Sequence, residues 1–204
     1  MNSNDEFFSF VNAIELNNVP WERLICTNGR ATDIPKLLTQ LTSLDPNKAP
    51  SALRDLSLQI EHQETVWTAA PFALIFMGRS GDQIRASEPK LPKLQSDLSE
   101  YFQELLDICT QALSYYDSKE QAFSSWQEFF NEEHLLPPIN YDELCADEDD
   151  DGEYEEELDW EEDLPDSPTL VLSCYEYSKR ILEFYLNKWN EPRVDVSYFS
   201  IALL

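Results

Sequence analysis

Residues 21–77 read WERLICTNGRATDIPKLLTQLTSLDPNKAPSALRDLSLQIEHQETVWTAAPFALIFM, and their apolar positions recur mostly at helical intervals. Pro20 suits the first turn of a helix through PWERLICTN that Gly29 stops. Thr32 or Asp33 can cap the next helix, whose apolar face is Ile34, Leu37, Leu38 and Leu41. Asp45–Pro46 marks a turn. A further helix begins near Ala49–Pro50 and carries Leu53, Leu56 and Ile60. From about 65 to 77 nearly every position is apolar, the pattern of a buried central helix.

The same period extends outward. Phe7, Phe8, Val11 and Ile14, with Phe10 offset, fit a short amphipathic helix ending at Asn17–Asn18. Residues 78–92 read as a polar loop. A long helix follows over 92–116, with Leu94, Leu98, Tyr101, Phe102, Leu105, Cys109, Ala112, Leu113 and Tyr116 on one stripe. Residues 119–133 read as another helix, presenting Phe123, Trp126 and Phe129–Phe130, and Leu135-Leu136-Pro137-Pro138 breaks it. A last helix over 168–189 carries Leu172, Ile181, Leu182, Tyr185 and Trp189. Residues 193–204 alternate (Val194, Val196, Tyr198), which fits a strand or a short helix. The expected fold is all-α, an α-solenoid or an irregular bundle of helix pairs. No fixed period runs through the whole chain. Residues 1–141 form the scaffold, 142–166 an acidic segment, and 167–204 complete the same domain.

The stretch 21–77 also carries a resemblance. Asp33-Ile34-Pro35-Lys36-Leu37-Leu38, the Asp45-Pro46 turn, and His62-Gln63-Glu64-Thr65-Val66-Trp67 followed by Ala69-Ala70-Pro71-Phe72 stand in the order and spacing of a bacterial family of small HEAT-repeat-like proteins, which this chain resembles. Gln63-Glu64 departs from the Gln-Gly of that pattern, and nothing after Gly78 follows it. The resemblance implies a HEAT-like helical scaffold without enzymatic activity, and an immunity protein encoded beside a polymorphic or contact-dependent growth inhibition toxin.

Charge is the second strong feature. The 204 residues carry a formal charge of −26, with 42% hydrophobic and 12% aromatic residues, enough to build a core and to exclude global disorder. Residues 120–178 contain no Lys or Arg and 21 Asp and Glu. The densest part, 142–166, reads DELCADEDDDGEYEEELDWEEDLPD. Such a field attracts a basic partner and repels nucleic acid. Leu144, Tyr154, Leu158, Trp160 and Leu164 are interleaved in it, more large apolar groups than a solvating tail carries. The expected partner-binding residues are Asp149, Asp150, Asp151, Glu153, Tyr154, Glu155, Glu156, Glu157, Asp159 and Trp160, the acids steering and the two rings anchoring.

Other chemistries find little support. His62 and His134 are the only histidines; His62 is expected at a helix–helix junction with Gln63 and Thr65 capping, and His134 at a helix end. No CxxC, HxxxH or HExxH spacing occurs, so no metal is expected. An EF-hand register starting at Asp147 places Gly152 correctly but puts Leu158 where a bidentate carboxylate is required. With four glycines and no Gly-rich phosphate loop, no nucleotide or other cofactor is expected. Cys26, Cys109, Cys145 and Cys174 are scattered and read as reduced thiols. The sequence begins acidic and has no stretch near the roughly 20 apolar residues of a membrane span. The expected location is the cytoplasm, and the expected function is an immunity protein. It would bind and neutralise a cognate basic toxin domain, most simply a nuclease, as a 1:1 complex. The alternative is an acidic chaperone-like or adaptor scaffold that binds basic proteins without inhibiting an enzyme.

Overall fold

Ala70–Ala86 form a helix buried on nearly every side, and the rest of the described molecule is packed around it. The structure, a computed structural model, describes residues 3–87, 91–116, 121–139 and 167–191. Among these the α-helices are α1 (Ser3–Ala13), α2 (Ile34–Thr42), α3 (Ala49–Ile60), α4 (Ala70–Ala86), α5 (Pro92–Leu113) and α6 (Pro168–Asn190). The chain is mostly helical. Five of these helices, α2 to α6, have a proline in the first turn, where its fixed φ is already helical and its missing amide costs nothing. The acidic segment 142–166 and the tail 193–204 lie outside the described residues.

Two short antiparallel hairpins interrupt the helices. β1 (Ile25–Cys26) pairs with β2 (Gly29–Arg30), and β3 (Glu61–His62) with β4 (Thr65–Val66). They correct the reading of two helices. The run through 20–28 is a single 3₁₀ turn at Trp21–Arg23 followed by the first hairpin. The central helix starts at Ala70, because Thr65–Val66 are strand. His62 accordingly lies in a hairpin and not at a helix junction. In each case a two-residue turn joins the strands, and the pairing satisfies backbone groups that a helix interrupted there would leave bare.

The hairpins recur with a fixed offset. Strand starts at 25 and 61, at 29 and 65, and helix starts at 34 and 70 are each 36 positions apart. Thr32 and Thr68, Pro35 and Pro71, and Leu38 and Leu74 keep that spacing in sequence. The chain therefore contains one hairpin–helix unit twice, at 25–42 and 61–86. The units are joined at Ile25, whose amide donates to Thr68 Oγ1 (2.8 Å) and whose carbonyl accepts from the Ala69 amide (3.0 Å), while the Thr27 amide donates to Gln59 O of α3 (2.8 Å).

The expected polar loop at 78–92 is another correction, since α4 continues through it to Ala86. Gly78 and Gly81 keep helical geometry because their missing side chains admit α6. A Cβ on Gly78 would stand 2.2 Å from the Tyr185 ring, and one on Gly81 2.2 Å from the Trp189 ring. The seam is closed by Tyr185 Oη donating to Ile75 O (3.3 Å), Trp189 Nε1 to Asp82 Oδ1 (3.1 Å) and Lys188 Nζ to Asp82 Oδ2 (2.6 Å).

Residues 121–139 form two 3₁₀ turns, Trp126–Phe130 and Glu132–His134, and not the expected α-helix. Glu128 Oε1 accepts from the Ser124 amide, the Ser124 hydroxyl and the Ser125 amide, a capping box that starts the turn late. In a 3₁₀ turn residues three apart eclipse, so Trp126 and Phe129 enter the core together. Trp126 meets Phe7, Phe10, Phe72 and Tyr177 at centroid distances of 4.6–5.5 Å. These rings tie α1, α4 and α6 to the segment.

Candidate partner-binding face

The ten residues expected to contact a partner, from Asp149 to Trp160, lie outside the described residues. The structure does fix both ends of the chain that carries them. On the N-terminal side, Arg23 Nε donates to Leu136 O (2.7 Å), the Leu136 amide donates back to Arg23 O (3.0 Å), and the Arg23 guanidinium forks onto Glu132. Arg30 Nη1 donates to both Glu22 O (2.8 Å) and Pro137 O (2.9 Å). The stretch leading into the acidic segment is thus strapped to the first hairpin by two arginines 107 to 113 positions away in sequence.

On the C-terminal side, Ser167 Oγ caps α6 by accepting from the Leu170 amide (3.2 Å). Two turns into α6, Tyr175 Oη donates to Glu64 O (2.9 Å) and accepts from the Val66 amide (3.4 Å), so this flank is strapped to the second hairpin. Ser173 Oγ and Tyr177 Oη satisfy the amide and carbonyl of Phe123. One flank of the acidic segment is thus tied to the first hairpin and the other to the second, and Ile25 of the first is bonded in turn to Thr68 and Ala69, just after the second. Sequence reasoning assigned no role to Arg23 or Arg30. The spacing of 36 was the mark that could have exposed the two hairpins.

Charge is divided unevenly. The described residues carry 20 Asp and Glu against 11 Lys and Arg, while residues 142–166 carry 16 acids and no base. Many cations of the helical body are engaged by it. Arg79 donates to Val11 O and Ile14 O at the end of α1, both at 2.7 Å, and Arg85 donates to Trp189 O at the end of α6. Both complement the negative carbonyl end of a helix. Arg180 lies 3.6 Å over the Phe7 ring. Lys93, Lys179 and Lys188 face Asp97, Glu183 and Asp82. No described stripe of free cations interleaves with aromatics.

The titratable groups of the core are not poised for chemistry. Cys26, Cys109 and Cys174 are buried free thiols, and burial raises their pKa, that of Cys109 to about 12. Burial likewise pushes Tyr177 and Tyr185 up to about 12. The His134 ring stacks on Phe123 at 4.8 Å, and His62 is exposed on its hairpin. Open clefts of about 700 Å³ beside Trp21 and about 610 Å³ beside Arg180 are shallow surface features. Among the described residues, no group of three or more His, Cys, Asp and Glu could hold a metal, and no helix is long and apolar enough to cross a membrane. Comparison of the chain with protein-family models, with curated proteins and with solved structures finds no match.

Proposed function

We propose that this chain is a HEAT-like immunity protein that binds a basic toxin domain in a 1:1 complex and neutralises it by covering its active site. The observation that carries the proposal is the partition of charge. The helical body holds its arginines in internal bonds, and 16 acids without a base fall in one stretch whose flanks are strapped to the body, one at the first hairpin and one at the second. Such a stretch raises the local concentration of a basic partner and speeds its capture, which is what a neutraliser requires. A basic partner with a substrate-binding cleft is most simply a nuclease, whose substrate is a polyanion. The HEAT-like reading is supported by the duplicated hairpin–helix unit. Tyr154 and Trp160 supply apolar contact among the acids, as interface anchors do.

The test is co-expression with the basic C-terminal domain of a large polypeptide encoded beside this chain. Rescue of growth, together with a 1:1 complex of nanomolar or tighter affinity, is the expected result. Weak retention of several unrelated basic proteins, without rescue, would replace the proposal by a chaperone-like scaffold.

A further inference from the structure

We infer that the tip of the second hairpin, His62-Gln63-Glu64-Thr65, is a rigid contact point for that partner, with Gln63 and Glu64 meeting an arginine- or lysine-bearing protein surface. The inference rests on the proposed basic partner but on a different part of the molecule. Gln63 has φ 52° and Glu64 φ 65°, the two consecutive left-handed residues of a tight hairpin turn. That turn ordinarily takes Asn-Gly or Gly-Gly, because a side chain at positive φ collides with its own backbone. The first hairpin turns differently: its turn residues Thr27 and Asn28 stay out of the positive-φ region, and the positive φ of 106° falls on Gly29, the strand residue that follows them. The other described non-glycine at positive φ, Leu44 at 55°, has a structural reason, since it ends α2 and packs against the core.

Gln63 and Glu64 have no such reason. Their side chains, like those of His62 and Thr65, are exposed and make no hydrogen bond among the described residues. The strained backbone is instead held from beneath. Tyr175 Oη donates to Glu64 O and accepts from the Val66 amide, and the Glu61 carboxylate accepts from the Glu64 amide (2.8 Å). All three bonds use main chain at the hairpin, so glycine at 63 and 64 would keep them and relieve the strain. The structure thus holds two side chains in costly positions that the fold does not use, which is the signature of a contact made to something outside it. A tip fixed in advance loses little freedom on binding. It carries the Glu64 carboxylate, and the flank that clamps it leads directly from the acidic segment. A cationic partner attracted by the chain's negative charge finds that carboxylate on a preset support.

The experiment pairs stability with binding for the Gln63→Gly, Glu64→Gly double variant of the full chain. Its thermal midpoint should rise by about 2–4 °C, the shift that relief of this order gives a chain of this size. Its affinity for the basic toxin domain should fall about tenfold or more, the loss expected when contact side chains are removed. Binding to poly-L-lysine, a probe of charge alone, should not change. A midpoint that falls would mean that the strain is too small to outweigh the freedom glycine gains in the unfolded chain, and would overturn the inference. So would a stabilised variant that binds the toxin domain like the wild type, or one that loses poly-L-lysine equally. A wild type that captures no basic domain would instead remove the immunity proposal, and this inference with it.

Discussion

The two hairpin–helix units occupy equivalent places in the chain yet are held by different means. The first turns through Thr27 and Asn28 without positive φ and places Gly29 just after them, and its helix α2 is amphipathic, with Lys36 and Thr39 exposed opposite Ile34, Leu38 and Leu41. It reaches the chain beyond it through two arginines that donate to carbonyls. The second carries side chains at both left-handed positions, and its helix α4 is buried all round. It is gripped by α6 at both ends, by Tyr175 on the hairpin and by Tyr185 and Trp189 against two glycines. A repeated backbone therefore does not require a repeated sequence. It requires only that each unit's backbone groups and apolar face find a partner, and the two units find theirs in different neighbours.

The comparison breaks most visibly at the position shared by Gly78 and, 36 residues earlier, Thr42. Gly78→Ala should cost at least about 2 kcal/mol, because the added methyl collides with a fully packed Tyr185 ring. Thr42→Ala should cost less, about 1 kcal/mol, since the residue is exposed and loses only the bonds of its hydroxyl to Leu38 O and Ser80 Oγ. Denaturant unfolding of both variants checks the contrast, and equal losses would contradict it. The clamps come next. Tyr175→Phe removes a hydroxyl that serves both Glu64 O and the Val66 amide, and should cost about 1–2 kcal/mol. Hydrogen exchange should locate the loosening in the second hairpin alone. Arg23→Lys should cost about 1 kcal/mol, because a lysine cannot serve Leu136 O and fork onto Glu132 together.

How much of this was legible in the sequence depended on which forces fix each element. The stripes of α3, α5 and α6 were readable because burial of a periodic face decides them locally. The corrections have different causes, and one of them is a deciding partner far away in sequence. Gly78 and Gly81 looked like a loop because nothing in 78–92 reveals Tyr185 and Trp189, which make those glycines necessary within a helix. Likewise Trp126 and Phe129 kept a spacing that an α-helix and a 3₁₀ turn share. The hairpins left local signals, Asn28–Gly29 and the paired Thr-x-x-Pro spacing, which the helical period of their surroundings concealed. The candidate site was legible only as charge: the acidic run is plain in sequence, whereas the straps at its ends depend on contacts across more than 100 positions.

The smallest expected effect is on acid stability. Bonds from Ser124 hold the Glu128 carboxyl below its ordinary pKa. A depressed carboxyl lends stability that is present above its unfolded pKa and is lost as pH falls through the folded value. The difference in thermal midpoint between wild type and Glu128→Gln should therefore be full at neutral pH and shrink as pH falls below the ordinary glutamate range. A difference that persists in acid would place the effect in packing.

The most direct test of the account is kinetic. Stopped-flow association with the basic toxin domain should be measured for the wild type, for a variant with Asp149, Asp150, Asp151, Glu153, Glu155, Glu156, Glu157 and Asp159 made amides, and for Trp160→Ala. The amide variant should associate more slowly and lose most of its salt dependence, because steering is a long-range sum of charges. Trp160→Ala should mainly dissociate faster, at a cost of about 2 kcal/mol or more. Unchanged association and dissociation rates in both variants would contradict the account and leave the acidic segment as a solubilising loop.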